Sequence, residues 1–462
     1  MEADHQSLRG FIERTEASDP ANVVRIREPV SPRLEMTATV FELERLGRSP
    51  IVIFENVVGF EIPVVTNVAG NRELLARCLD TTVARLPTVF RERCQNYIAP
   101  EITAKGAFHE VVIEGDDVDL TRLPVPFQFT VDAAPYITGG QITARDPHTG
   151  VDTTGFHRLM LNGRNRLGVS LHSRRRMYEY HRRAEAGGRS LPAVVVLGVH
   201  PLHYMGSMTY AYPPDVRKYE IIGGLFGEPY RLTHCGVDGL QVPAGAEIII
   251  EGEILAGVHE PEGPFGEFTG YASFRSTQNV FVAHRIRMRR DAFFHSVVSG
   301  MSRDHILISC ITREGEILNA LRRNLPNVKA VHVPHRTCGA FLAIVAMKKI
   351  AEGEPKMAML TTLGTELYTK QVIVVDEDVD IYDMEDVMWA VATRVWPDRD
   401  ILTVPGAKAA IIDPTSDPAT FTVTKIGIDA TAPLNDTFAQ RLVVPEEQRA
   451  RAREILGRAK AM

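Results

Sequence analysis

EGEILAGVHEPEGPFGEFTGY, residues 251–271, sets two carboxylates at a short fixed spacing inside a backbone constrained by glycine and proline. Glu262 and Glu267 bracket Gly263-Pro264-Phe265-Gly266. Pro264 fixes its own φ, and each glycine can take conformations that residues with a β-carbon avoid, so the stretch predicts a rigid turn with an acid at each end. If the turn points into a cleft, burial and mutual repulsion raise the pKa of one of the two acids towards neutrality. A carboxylic acid that donates a proton near pH 7 is what general acid–base chemistry needs. The competing reading is a surface loop with two solvated carboxylates, and the string alone favours that reading, because such short motifs carry little specificity.

The segments around this turn read as strands. FHEVVIEG, YITGGQITAR, RLMLN, AVVVLGVH, AEIIIEGEI and NVFVAHRIRMR recur across residues 105–300 with glycine and proline turns between them. In the last, Val280, Val282, Ile286 and Met288 alternate with more polar positions, which suits a strand buried on one face. The material is that of a barrel or a sandwich. One helix interrupts it near 174–186, RRRMYEYHRRAEA, whose arginines read as a solvated face rather than a phosphate or RNA patch.

Upstream, Leu8, Phe11 and Ile12 have helical spacing and Val23, Val24 and Ile26 open a strand. PIVIFENVVGFEIPVVTN, 50–67, reads as strand–turn–strand about Gly59, and a helix over 72–86 carries Leu74, Leu75, Cys78, Leu79, Val83 and Leu86 on one face. Downstream of about 315, helix and strand alternate. Leu318, Leu321 and Leu325 mark a helix, FLAIVAMKK a buried strand, 357–368 a helix, QVIVVDEDVDI a strand and MEDVMWAVATRV a helix. This alternation predicts an α/β layer. Asp376, Glu377, Asp378 and Asp380 lack the ligand loop and glycine of a calcium or magnesium site and read as a solvated strand end. PEEQRARAREILGRAKAM closes the chain as a helix with Pro445 at its start and charges matched to the helix dipole; it needs something to pack on, and a partner subunit is the expectation.

Composition removes several function classes. A net charge of −6 argues against a dedicated nucleic-acid binder, which needs a basic balance or face. Five scattered cysteines (Cys78, Cys94, Cys235, Cys310 and Cys338), without a CxxC pair, indicate neither a disulfide framework nor a cysteine zinc site, and fit a reducing cytosol. The polar start MEADHQSLRG and the absence of a long apolar run predict neither a signal peptide nor a membrane span, hence a cytoplasmic protein without a membrane partner.

Together the motifs resemble the UbiD-like family of reversible decarboxylases that use prenylated FMN. The most specific match is an arginine ending an N-x-x-x-x-R type motif followed about a hundred residues on by the E-G-P-x-G-E loop: here Arg158 in DTTGFHR, with Glu262 and Glu267. LRGFIERTE, PIVIFENVVGFEIPVVTN, the GEP of 227–229, VPAGAEIIIEGEI, VVDEDVDIYDMEDVMWAVATR and KIGIDAT at 425–431 follow in the family's order and reverse the odds on the acidic loop. The resemblance implies an α+β, α/β multidomain chain: an N-terminal α/β region (1–104), a central flavin-binding split β-barrel (105–312), a C-terminal α/β domain (313–440) and an oligomerisation helix (441–462). It implies at least a homodimer, a flavin prenyltransferase as cofactor supplier, and decarboxylation of an aromatic, heteroaromatic or α,β-unsaturated acid with release of CO2. By the family pattern Arg158 holds the substrate carboxylate, Glu262 orients it, and Glu267 delivers the proton that replaces CO2.

The family also places a divalent metal, commonly Mn2+, between the flavin phosphate and an asparagine, a histidine and a glutamate, with K+ nearby. His172 matches the histidine, but the other two positions are Thr153 and Lys218. A protonated lysine cannot ligate a cation and a threonine hydroxyl is a poor replacement for an amide oxygen. The metal site is therefore not supported, and the expectation is that the Lys218 ammonium binds the phosphate directly, with Thr153 and His172 donating hydrogen bonds. A slipped strand that brought Glu220 into place would restore a ligand, and an ordinary surface lysine is the other alternative for Lys218. Ser207 and Met208 stand where the family brings backbone groups close to the phosphate. Lys370 and Lys425, beside well-matched motifs, read as structural. Where the family has Pro-Pro-x-Glu, this chain has Gly300-Met301-Ser302-Arg303-Asp304-His305; His305 or Arg303 there would meet a ring heteroatom or a second carboxylate, unless the segment is a surface turn. A flavin-binding relative without decarboxylase activity is the rival from another class, and the intact Arg158, Glu262 and Glu267 set argues against it. A paired-acid hydrolase is more distant, since residues five apart on one tight loop cannot flank a sugar from both sides.

Overall fold

The computed structural model describes residues 4–171, 176–209, 212–237, 239–435 and 438–460. Ser7 caps the opening helix Leu8–Ser18, its Oγ accepting from Gly10 N at 3.1 Å, and Leu8, Phe11 and Ile12 are buried on one face. Strands Val23–Ile26, Ile51–Phe54 and Val64–Thr66 form a sheet whose fourth strand, Phe294–His295, comes from far along the chain and runs parallel to Val64–Thr66. A helix not expected from the sequence, Glu35–Arg45, lies between the first two. The helix expected over 72–86 ends early, as Arg72–Cys78, and a separate helix, Leu86–Arg93, begins where it was expected to finish. Asp80 adopts a left-handed φ of 48°, which ends the first, and Pro87, which lacks an N–H, sits in the first turn of the second.

The central region is a nine-stranded antiparallel sheet with the order Tyr136–Ile137, Leu159–Leu161, Arg166–Val169, Ser276–Met288, Ile248–Glu262, Leu191–Leu197, Gln141–Arg145 and Asp152–Phe156; Val111–Glu114 pairs with Ser276–Met288 off this path. It is buried on both sides: in Leu191–Leu197, Ala193, Val195 and Leu197 belong to one core and Val194 and Val196 to another. Strands Asp152–Phe156 and Leu159–Leu161 are six inter-strand spacings apart in this order, ~29 Å in a flat sheet. Yet only His157 and Arg158 separate them in sequence, a link that spans at most ~11 Å. The sheet therefore curls until its two margins meet at Arg158. Among the described residues no ladder joins those margins, so the barrel is not closed.

Among the described residues three α-helices, not one, interrupt this region. Arg176–Ala186 is the expected one; its Arg182 pairs with Glu179 on the surface, and Arg174 and Arg175 lie outside the described residues. Pro201–Ser207 starts on a proline with His200 as its cap, and Lys218–Phe226 begins at the lysine that the sequence suggested was on a strand. At the third position of that last helix Glu220 folds back to accept from Arg217 N at 2.8 Å, so it is committed to capping, and no strand exists to slip.

The C-terminal sheet has the order Val328–His332, Leu342–Met347, Gln371–Asp376, Thr422–Ala430 and Ile401–Lys408, parallel at its centre and antiparallel at both edges. Alternate residues of Leu342–Met347 enter two different cores, as a sheet covered on both faces requires. Helix Arg303–Arg322 ties the parts together: Leu307, Ile308 and Ile311 pack in a core shared with the N-terminal helix, and Ile306, Cys310 and Ile317 pack against the C-terminal sheet. The acidic run after Gln371–Asp376 is only partly solvated, because Asp376 and Asp378 hold the Arg394 guanidinium at 2.6 and 2.8 Å. The last helix, Glu446–Lys460, is exposed at every residue through Arg458. Among the described residues no helix is long and apolar enough to cross a membrane.

Candidate active site

Arg158 projects from the seam between the margins of the curled sheet, and its guanidinium is gripped by both acids of the 251–271 stretch. Its Nε and Nη2 donate in parallel to Glu262 Oε1 and Oε2 at 2.9 and 2.7 Å, while Nη1 donates to Glu267 Oε1. The parallel fork is the strongest geometry available to an arginine and a carboxylate. Burial alone would push the Arg158 pKa down; the hydrogen bond and charge of Glu262, followed by the charge of Glu267, outweigh it, and the net shift is upward. The two acids do not confront one another unscreened, as the sequence suggested, because the cation lies between them.

The loop that presents the acids is pinned from behind. Tyr136 OH donates to Glu262 Oε1 at 3.0 Å, and burial followed by the Glu262 charge pushes its phenol pKa up, keeping it a donor. Asp132 accepts from Gly266 N at 2.8 Å and from Phe129 N at 2.9 Å. A β-carbon on Gly266 would lie 2.4 Å from the Phe129 ring, and Gly263 has a φ of 84° with Phe274 O only 2.9 Å from the place a β-carbon would take. Both glycines are thus required. Gly263-Pro264 is a cis peptide, and the Phe265 ring lies 5.4 Å beneath the Arg158 guanidinium.

In front of this assembly opens a cavity of about 830 Å³, lined by Arg158, Glu267, Lys218, His295, His305 and Arg313 among others. The side chain of Glu267 is 12% exposed and faces the cavity; that of Glu262 is 0% exposed and stands behind Arg158. Among the described residues five cations (Arg158, Arg176, Lys218, Arg313 and Lys408) line it against two acids, Glu267 and Asp304, which favours anionic ligands.

Of the other residues singled out in the sequence, Thr153, Ser207, Met208 and Lys218 all lie on the cavity wall, and His172 is outside the described residues. Lys218 is not a surface lysine: it is 9% exposed, and its Nζ donates to the carbonyls of Thr154, at 2.8 Å, and Ser207. Lys370 pairs with Asp413, and Lys425 donates to the Leu363 carbonyl; neither reaches the cavity. The 300–305 segment is not a surface turn. Ser302 caps the helix Arg303–Arg322, and Asp304 is buried beneath it, accepting from Asn67, Ala69 and Val298 N–H groups, with burial pushing its carboxyl up to about 6. Arg303 is not among the cavity-lining residues, and its main-chain N–H donates to Glu44 Oε1, whereas His305 lines the cavity, its Nδ1 3.0 Å from Gly300 O. Burial lowers the His305 pKa, partly offset by the Glu267 charge.

Sequence reasoning missed Tyr136, Asp132, His295, Ser299 and Arg313. Tyr136 lies 126 residues from the Glu262 it contacts, with no local motif to flag it. Arg313 had a signal, four residues after Ser309 on the helix face that reaches the cavity; its Nη1 bonds Ser309 Oγ and Gly339 O, and its guanidinium sits 5.0 Å from the Tyr368 ring. His295 takes a hydrogen bond with Tyr204 OH at 2.9 Å through Nδ1, and its buried Nε2, like Ser299 Oγ, has no hydrogen-bond partner among the described residues; both residues line the cavity. Buried polar atoms left over at a large cavity are what a polar ligand would satisfy. Among the described residues no group of three or more histidine, cysteine, aspartate or glutamate side chains is placed to hold a metal ion.

Comparison with known proteins accounts for nearly the whole chain. Family models described as the 3-octaprenyl-4-hydroxybenzoate carboxy-lyase (UbiD) N-terminal, Rift-related and C-terminal domains match residues 18–93, 101–302 and 305–430. The chain is 34% identical over 428 residues to anhydromevalonate phosphate decarboxylase of Methanothermobacter thermautotrophicus, covering 92% of this chain and 97% of that relative. The UbiD-class enzyme HmfF from Pelotomaculum thermopropionicum, solved in complex with FMN, superposes with a TM-score of 0.90 at 34% identity, over 96% of this chain and 98% of that one. An evolved dimeric form of HmfF in complex with prFMN gives 0.86 at 33% identity, over the same shares.

Proposed function

The chain belongs to the UbiD family of carboxy-lyases, and from that premise we propose that its cavity binds prenylated FMN and decarboxylates an aromatic, heteroaromatic or α,β-unsaturated acid. The observation that carries the reading is the Arg158 guanidinium shared by buried Glu262 and cavity-facing Glu267. A flavin nucleotide fits what the cavity offers. The volume is near the upper end for a small-molecule site, roughly 300–1,000 Å³; the Lys218 ammonium and the Thr153 hydroxyl suit its phosphate; and His295 Nε2 and Ser299 Oγ suit the polar edge of a ring. Two HmfF structures, one with FMN and one with prFMN, support the choice. When bound, the cofactor supplies an electron sink for the pair released with CO2. The metal of the family pattern does not fit residues such as Lys218, and no step is assigned to it.

The chain's own residues do the rest. Glu262 and Tyr136 fix the Arg158 plane, so the guanidinium is oriented before substrate arrives. The substrate carboxylate displaces Glu267 from Nη1, and Glu267 so released carries a proton, taken from solvent, to the reacting carbon. After the carbon–carboxylate bond breaks and CO2 leaves, Glu267 returns its proton to the carbon, giving R–H and a carboxylate that again pairs with Arg158. His305 and Arg313, on the wall contributed by helix Arg303–Arg322, favour acids with a second anionic or polar group. The relative named for a phosphate-bearing substrate is consistent with that preference. The exposed helix Glu446–Lys460, too short to be stable alone, docks on a second copy of the chain, which light scattering would report as a dimer or larger.

The test is to co-express the protein with a flavin prenyltransferase, purify it anaerobically, identify the bound flavin by mass, and score CO2 release from mono- and di-anionic unsaturated acids. Release from a di-anionic acid, lost in Arg158→Met and Glu267→Gln, supports the proposal. Flavin-loaded protein that releases CO2 equally well with Arg158→Met refutes the site.

A further inference from the structure

The loop that carries Glu267 is anchored by two aromatic side chains three residues apart, and the anchors lie in different cores. Phe265 packs with Tyr136 and Met160 of the central sheet, its ring centroid 4.6 Å from that of Tyr136. Phe268 packs instead against the core made by helix Arg303–Arg322 and the C-terminal sheet. Three rings cage it: His305 at 6.2 Å and Phe341 at 6.3 Å, both edge-on, and Tyr368 at 6.1 Å. These separations are those of favourable aromatic pairs. The next residue adds a main-chain contact, since Cys338 Sγ donates to Thr269 O at 3.7 Å. None of these four partners comes from the central sheet.

Glu267 hangs between the two anchors. Its N–H donates to Tyr271 O and its carbonyl accepts from Gly270 N, both at 3.0 Å, so residues 267–271 form one tight turn. A shift of Phe268 is therefore passed to the adjoining Glu267 α-carbon, about 3.8 Å away along the chain. Arg158 Nη1 holds the Glu267 carboxylate before substrate binds, but that contact is given up when the substrate carboxylate takes Nη1. From then on the reach of Glu267 depends on its backbone, and proton transfer needs the heavy atoms about 2.6–3.2 Å apart.

We infer that Phe268 is a positioning residue for proton delivery: its cage of His305, Phe341 and Tyr368 couples the seating of the C-terminal sheet to the place of Glu267 in the cavity. The inference rests on the decarboxylase reading above and adds to it the element that sets Glu267 once Arg158 has released it. It accounts for a proton donor carried by a loop of one sheet being pinned, through its neighbour, to the core of another.

The experiment separates proton transfer from the rest of turnover. Flavin-loaded wild type, Phe268→Ala, Phe268→Leu and Phe341→Ala are compared on the acid turned over fastest in the screen above, in H2O and in D2O, with flavin content and melting temperature measured for each. Phe341 is not among the cavity-lining residues, so its effect reaches the chemistry through the cage. Phe268→Ala is expected to lower kcat about 100-fold, the loss for a group misplaced by about an ångström. KM changes by less than about threefold, because Arg158 keeps its fork to Glu262. The solvent isotope effect on kcat rises, since proton transfer has become the slow step. Phe341→Ala moves both quantities the same way, and Phe268→Leu, which still fills the cage, recovers kcat to within about tenfold of wild type. If Phe268→Ala does not fold, Phe341→Ala carries the same comparison. A second readout needs no substrate: in the flavin-free chain the 262–271 segment exchanges its amide hydrogens faster in Phe341→Ala than in wild type, because the turn has lost its support. A fall in kcat that only tracks lost flavin or lowered melting temperature, with the isotope effect unchanged, would overturn the inference, as would wild-type kcat in Phe268→Ala; either leaves the decarboxylase reading intact. A wild type that binds no flavin or releases no CO2 would refute both.

Discussion

Replacing Glu262 by glutamine removes one negative charge and keeps the side-chain shape, at a residue with no solvent exposure. Glu262 accepts three hydrogen bonds, from Arg158 Nε, Arg158 Nη2 and Tyr136 OH. Glutamine has one acceptor oxygen and an amide group that must face a donor, so one arm of the fork is lost and becomes a donor–donor contact. Breaking a buried ion pair outright costs about 3–5 kcal/mol. Here Glu267 still faces Arg158 Nη1, which leaves the lower range for a lost charged hydrogen bond, about 2–3 kcal/mol. The measurement is urea unfolding followed by circular dichroism, beside Tyr136→Phe and the double variant, whose non-additivity reports the Tyr136–Glu262 contact. In the holoenzyme the loosened guanidinium lowers turnover about 100-fold, the effect of misplacing a positioning group by an ångström. A Glu262→Gln protein within about 0.5 kcal/mol of wild type, the range of an inert surface change, and within threefold in turnover would show that Glu262 does not hold Arg158.

Three further outcomes follow from the same geometry. Glu267→Gln abolishes proton delivery and turnover, yet changes stability by only about 1 kcal/mol, because Arg158 keeps its fork to Glu262; near wild-type turnover would remove Glu267 as the donor. Stability should fall in acid: burial, then the Lys218 charge, depresses the His203 pKa to about 3, and burial depresses that of His295 to about 4, both from 6.5. The unfolded chain takes these protons first, so the contribution is whole above pH 6.5 and is lost as pH falls towards 4, about 3 kcal/mol for each. Asp304, raised from 3.8 to about 6, runs the opposite way between pH 6 and 3.8 and offsets about one of them; melting temperatures that stayed level from pH 7 to 4.5 would contradict this balance. Gly266→Ala puts a methyl 2.4 Å from the Phe129 ring, and should cost about 1–3 kcal/mol and displace Glu267, lowering turnover at unchanged flavin content; an active, equally stable variant would show that the loop is not clamped.

Local chemistry was enough to read the pieces. Glu262 and Glu267 on a glycine- and proline-bound turn, the alternating apolar residues of 280–288, and the helical segments Leu8–Ser18, Arg176–Ala186 and Met384–Arg394 are short-range properties, each encoded within a few residues. The order of motifs also carried the family. Where a breaker acts inside a periodic run, the reading failed: Asp80 cuts short the expected 72–86 helix, and apolar runs around 201–207 and 218–226 concealed two helices in strand-rich sequence. Sequence spacing says which face of a strand a side chain takes but not which strand lies beside it. Only the pairing order curls the central sheet and delivers Arg158 onto Glu262, 104 residues away. The same curling sets Tyr136 behind that pair and brings Lys218 against two carbonyls, and the docking of helix Arg303–Arg322 brings Arg313 to the cavity. The residue types were legible as chemistry; their meeting was decided by long-range strand pairing and burial, which no local pattern encodes.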